Sequence, residues 1–153
     1  MEYNQVRPYT YQEKFTYQSF SNYRTPLAHP MGANFREAAA ILRYQPLPRL
    51  SLNATAIYNF FGTDPDLSSN FGGDVLKNRT GQSTGLFGNV IGQGVENRVL
   101  LGSINATYML KQNLFLDISR TYRKHTLATE TPEVIHLTQL SVRMNISRQE
   151  FNY

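Results

Sequence analysis

The chain has 153 residues, 41% hydrophobic and 17% charged, with a formal net charge of +4. That length suits one domain, while the charged fraction lies below the about 25% usual in soluble domains. Lys and Arg are scattered, which argues against a nucleic-acid arm, and the absence of cysteine excludes a disulfide framework, a thiolate zinc site and a Cys nucleophile.

Nowhere do about 18 apolar residues run together, so no segment reads as a transmembrane helix. The opening "MEYNQVRPYTYQ" is polar and aromatic, unlike a secretory signal. The expectation is a piece of a longer chain.

In chain order, the first segment, Tyr3 to Gln12, alternates weakly. Pro8 marks an interruption or an edge strand there. The stretch "EKFTYQSFSNYRTPLAHPMGAN" follows as a long connection with Phe15, Tyr17, Phe20 and Tyr23 beside Arg24 and His29. Aromatic faces stack on sugar rings, and guanidinium or amide groups hold hydroxyls. Packing of those rings onto the rim of the fold is the plainer alternative.

The second strand alternates Ala38, Ala40, Leu42 and Tyr44 with Glu37, Ala39, Ile41 and Arg43. Only "QPLPR" separates it from the third, Arg49 to Phe61. There Leu50, Leu52, Ala54, Ala56, Tyr58 and Phe60 share one face, while Ser51, Asn53 and Thr55 hold the other. Asn53-Ala54-Thr55 and Asn105-Ala106-Thr107 spell glycosylation sequons. A glycan acceptor belongs in an exposed loop, whereas spacing by two puts each Asn and Thr on one face mid-strand.

The long connection after Phe61 contains "DPDLSSN". Asp64, Asp66, Ser68 and Asn70 alternate as calcium ligands do, but Ser69 and Val75 stand where an EF-hand needs Gly and Glu. A polar turn is the better reading. "GNVIGQGVENR" lacks the following helix of a phosphate cradle. The fourth strand, Arg98 to Leu110, repeats the pattern with Leu100, Gly102, Ile104, Ala106 and Tyr108 against Ser103, Asn105 and Thr107. After "KQN", the fifth alternates Leu114, Leu116 and Ile118 with Phe115, Asp117 and Ser119. "RKHTLATETPE" then reads as another long connection, with His125 and His136 in or beside it. The sixth alternates Leu140, Val142, Met144 and Ile146 with Ser141, Arg143, Asn145 and Ser147, and the chain ends on the aromatic "EFNY".

Long strands with alternately long and short connections mark an outer-membrane barrel. In lipid every backbone polar group needs a partner, so a closed sheet is required. The expected fold is therefore all-β, an antiparallel up-and-down transmembrane β-barrel. The single segment 1–153 would supply about six strands. Single-chain barrels start at about eight strands, so this is expected to be the C-terminal part of a larger barrel, or one subunit of a multi-chain barrel. Tyr44, Tyr58, Tyr108 and Tyr122 fall where an aromatic girdle would lie. Glu37, Asp117, Arg43 and Arg143 fall on the face away from lipid. An antiparallel soluble sandwich is the rival architecture.

Taken together, "VRPYTYQ", "NYRTPLAHPMGANFRE", "LRYQPLPRLSLNATAIYNFFGTD", "IGQGV" and "LKQNLFLD" resemble the C-terminal region of Wzi-type capsule-assembly outer-membrane proteins. The likeness is to the Bacteroidota branch, which includes gliding-motility-associated, RemB-like proteins. It is most specific over Pro26 to Phe35. It implies a monomeric outer-membrane barrel that attaches or organises capsular or surface polysaccharide, lectin-like rather than enzymatic. It supplies no catalytic motif to carry over, and no cofactor or metal is expected. The loop motif with His29, Pro30, Gly32 and Asn34 carries over as structural or ligand-facing. The candidate ligand-binding residues are Tyr17, Tyr23, Arg24, His29 and Asn34. The expected partners are outer-membrane lipid, surface polysaccharide and other envelope proteins, with no nucleic acid. A component of gliding motility or secretion machinery acting through protein contacts is the other reading. A barrel-embedded hydrolase would need a Ser-His pair in reach.

Overall fold

The structure, a computed structural model, describes residues 1–85 and 87–145. It is all-β. Strand β1 is Glu2–Val6. A small hairpin follows, β2 (Ser21–Asn22) and β3 (Thr25–Pro26). Then come β4 (Phe35–Leu47), β5 (Leu50–Thr63), β6 (Val95–Lys111), β7 (Leu114–Leu127) and β8 (Glu133–Met144). Six of these form one antiparallel sheet in the order β1-β4-β5-β6-β7-β8. The sheet is an up-and-down meander of the kind the alternation predicts.

The register carries each face unbroken across the sheet. Tyr44 lies opposite Leu52, Leu52 opposite Ala106, Ala106 opposite Ile118 and Ile118 opposite Leu140. One residue along, Arg43, Asn53, Asn105, Ser119 and Gln139 form the matching polar row. A slip of one residue in any strand would break both rows. We call these the Leu52 face and the Asn53 face. The Asn53 face also bears one apolar row, Ala39, Ile57, Leu101 and Ile135, interrupted by Arg123.

Nothing among the described residues covers the Leu52 face. Leu42 is 65% exposed and Leu140 71%. The fully buried hydrophobics are instead Tyr9, Ala33, Phe35 and Val75, in and beside the long connections. A soluble sandwich buries its sheet. Here the packed core sits in a cap at one end of it.

Two-residue turns close the opposite end, at Pro48–Arg49 and Gln112–Asn113. Asn113 has φ 66, the left-handed region that such a turn demands and that Asn tolerates. Pro46 has no N–H to give, and the β4–β5 register shifts between Tyr44 and Leu47.

β1 pairs only with β4 and β8 only with β7, so the described strands form an open six-stranded sheet and close no barrel. Three expectations change. β1 stops at Val6, because Pro8 lacks a donor and Tyr9 turns to φ 62. β7 runs on to Leu127 and β8 starts at Glu133, so the long fifth connection shrinks to residues 128–132. His125 and His136 therefore lie within strands. They sit on opposite faces, opposite Glu133 and Tyr122 respectively. Ile146, Ser147 and the terminal "EFNY" lie outside the described residues.

Candidate functional site in the long connections

The connections 7–34 and 64–94 fold against each other at the loop end of the sheet. Long-range amide bonds hold them together. Gln12 and Asn70 exchange side-chain hydrogen bonds: Gln12 Nε2 donates to Asn70 Oδ1 at 3.0 Å and Asn70 Nδ2 donates to Gln12 Oε1 at 3.1 Å. Both residues are buried. The Tyr9 hydroxyl donates to the Asn70 carbonyl at 2.7 Å. In a dry interior such pairs specify one arrangement, because any other leaves polar groups unsatisfied.

Asn34 is a clasp rather than a ligand contact. It is fully buried, at φ 60. Its Nδ2 donates to the carbonyls of Gly62 and Gln93, at 3.2 and 2.9 Å, while Gly92 N donates to its Oδ1 at 2.7 Å. Asn enters the left-handed region at low cost. Gly62 must be glycine, since a Cβ there would lie 2.0 Å from the Gln93 carbonyl oxygen.

His29 is a brace. The Met31 N–H donates to its Nδ1 at 3.3 Å, so Nε2 carries the proton and donates to Glu37 Oε1 at 3.3 Å. The imidazole rests on the Phe35 ring, centroids 4.5 Å apart. Glu37 is on the Asn53 face, and Asn4 also donates to its Oε1, at 3.4 Å. Beside it in the loop motif, Gly32 (φ 73) is required, because a Cβ would meet Gly73 O at 2.6 Å.

Tyr17, Tyr23 and Arg24 remain open. Tyr23 and Arg24 are the two central residues of the β2–β3 hairpin, with φ of 46 and 63. Those angles suit a type I′ turn, which favours Asn-Gly. Two bulky side chains there cost of order 1–2 kcal/mol each, offset by the Asn22–Thr25 ladder and by Thr25 Oγ1 donating to Asn22 O at 2.6 Å. Tyr23 is 95% exposed at that tip. Tyr17 is 81% exposed and stacks on Phe15 with centroids 5.5 Å apart, while Lys14 Nζ sits 5.6 Å from the Phe15 centroid. The structure thus yields an aromatic ledge and a strained aromatic-cationic tip. No hydrogen bond, ion pair or ring contact among the described residues joins Tyr23 or Arg24 to His29 or Asn34.

The "DPDLSSN" oxygens point to separate local partners. Asp64 accepts from Phe71 N at 2.7 Å and pairs with Lys77 Nζ at 2.6 Å. Asp66 accepts from the hydroxyls and N–H groups of Ser68 and Ser69. These bonds, the Ser68 hydroxyl's foremost, hold the Asp66 carboxyl down at about 2. This is the polar turn the sequence suggests.

Sequence reasoning missed the clasp, the Gln12–Asn70 pair and a cleft of about 450 Å³ in the cap lined by Arg7, Arg79, Gln82, Phe87 and Asn89. None has a local motif, since each depends on contacts between distant segments. On the Asn53 face, Arg143 Nε donates to Asp117 Oδ2 at 3.2 Å, an ion pair on the face where the sequence puts both residues. No family model, curated protein or solved structure matches the chain.

Proposed function

We propose that this chain is the C-terminal portion of an outer-membrane β-barrel that holds or organises surface polysaccharide through its long connections, without catalysing a reaction. The observation that carries it is the division of the molecule. An uncovered apolar sheet face stands below a cap that presents exposed aromatic and cationic side chains. An apolar face of this extent marks an interaction surface. Its height supports lipid as that partner. From Leu100 to Leu110 the apolar side of β6 spans about 34 Å at about 3.4 Å per residue, and a tilt of about 40° reduces this to about 26 Å, against an apolar band of about 25 Å in such barrels. Tyr44 and Tyr108 lie toward the turn end of the Leu52 face and Tyr58 and Tyr122 toward the loop end, as two girdles require.

For the polysaccharide, the favoured contacts are Tyr17, Tyr23 and Arg24, with His29 and Asn34 holding the loop that bears them. Tyr23→Ala with Arg24→Ala is expected to weaken glycan retention roughly 5- to 30-fold, a loss of about 1–2 kcal/mol, with the protein still in the outer-membrane fraction. Wild-type retention in that variant would sink the glycan site. Recovery of the chain in the soluble fraction would sink the membrane reading. Loss of a co-purifying envelope protein with glycan retention intact would assign the tip to protein contacts instead.

A further inference from the structure

We propose that the cleft between Arg36 and Arg98, at the loop end of the Leu52 face, binds the phosphate of an anionic lipid headgroup. The proposal rests on the membrane-barrel reading, though not on the polysaccharide.

The Leu52 face is not apolar throughout. Its turn-end half is built from Leu, Ile, Val, Ala, Met and Tyr. Its loop-end half carries Arg36, Arg98, Lys124 and Arg120. Phe60 lies directly opposite both Arg36 and Arg98 on its two neighbouring strands. Two strand spacings put the arginine backbones about 10 Å apart. That gap lets both guanidiniums converge on one phosphate. The cleft between them measures about 370 Å³, and Tyr3, Tyr58 and Phe60 wall it with rings. Rings at the headgroup level and forked donors suited to phosphate are what an interfacial site needs.

The nearby carboxylates leave the site positive. Glu96 binds Arg98 Nη2 at 2.6 Å and is the acidic partner on this face. Glu37 borders the cleft, but its carboxylate is engaged from the other face by His29 and Asn4. Among the described residues Arg36, Arg120 and Lys124 make no ion pair.

Lys124 and Arg120 stand lower on β7, two and six residues toward the turn end from the level of Arg98, opposite Leu100 and Ile104. In the proposed orientation lipid tails lie on the turn side of Arg36 and Arg98 and headgroups on the loop side. The charge complementarity selects anionic headgroups.

The test uses the whole barrel that contains this chain, reconstituted in phosphatidylcholine vesicles doped with brominated phosphatidic acid and read by quenching of tyrosine fluorescence. We expect the wild type to prefer phosphatidic acid. Arg36→Gln with Arg98→Gln should weaken that preference roughly thirtyfold, about fivefold per guanidinium. Arg36→Lys with Arg98→Lys should keep part of it, and Arg43→Gln on the opposite face should leave it unchanged. Insertion with no preference, or a preference that survives the double Gln variant, overturns the headgroup site and leaves the barrel reading standing. Failure of that whole barrel to insert into any vesicle overturns both. Equal protection of the tyrosines by inorganic phosphate in detergent overturns the lipid as occupant.

Discussion

Single residues decide how the cap holds its shape. Asn34 combines a left-handed backbone with four side-chain hydrogen bonds in a dry site. Asn34→Ala is expected to cost about 2–4 kcal/mol, from unsatisfied carbonyls and an unfavourable φ together, and to open residues 64–94 to limited proteolysis. Asn34→Gly relieves only the backbone and should lie between. Asp66 makes the cap turn sensitive to acid. Its folded pKa, about 2, lies below the ordinary 3.8. Its contribution is therefore complete above 3.8 and is lost as pH falls from 3.8 through about 2. Carboxyl chemical shifts should show Asp66 titrating near 2 and returning toward 3.8 in Ser68→Ala/Ser69→Ala. Little of this was legible in the sequence. Gln12 and Asn70 stand 58 positions apart, and nothing local to either predicts the pair. The loop motif did point to His29 and Asn34, yet residue type alone does not tell a brace from a ligand. Tyr17, Tyr23 and Arg24 were legible as exposed groups because aromatics in a polar loop have few places to go.

At the level of the strands the sequence was far more informative. Side chains alternate with a period of two, so one misplaced residue reverses a face and the pattern is self-checking. The two faces should therefore answer differently to the same charge. Ala106→Arg on the Leu52 face, between Leu52 and Ile118, is expected to cost about 2–4 kcal/mol in the whole barrel reconstituted in bilayers. Asn105→Arg, its neighbour on the polar face, should fall within about 0.5 kcal/mol of wild type. Denaturant titration in vesicles separates them, and equal costs would remove lipid from the Leu52 face. The loop-end half of the β7–β8 hairpin was misread for a physical reason. Arg120, Tyr122, Lys124 and Thr126 share one face with Arg123 and His125 on the other, so polarity on both sides hides the alternation.

The whole molecule joins a sheet whose two edges are unpaired among the described residues to a cap with its own small core. Among the described residues the edges at β1 and β8 leave rows of backbone donors and acceptors that further strands would have to meet for the sheet to survive in lipid. The unequal connections have a further consequence, for the order of events in time. The β4–β5 and β6–β7 turns are two residues long and the β7–β8 link only five, so these pairings form within microseconds to tens of microseconds, as hairpins do. Joining β5 to β6 must first close the loop 64–94, at an entropic cost of about 3 kcal/mol. The β4–β5 hairpin and the β6–β7–β8 meander are thus early, separate nuclei. Asn34 can clasp Gly62 to Gly92 and Gln93 only once β5 and β6 have joined, so the cap is completed after the sheet beneath it has registered.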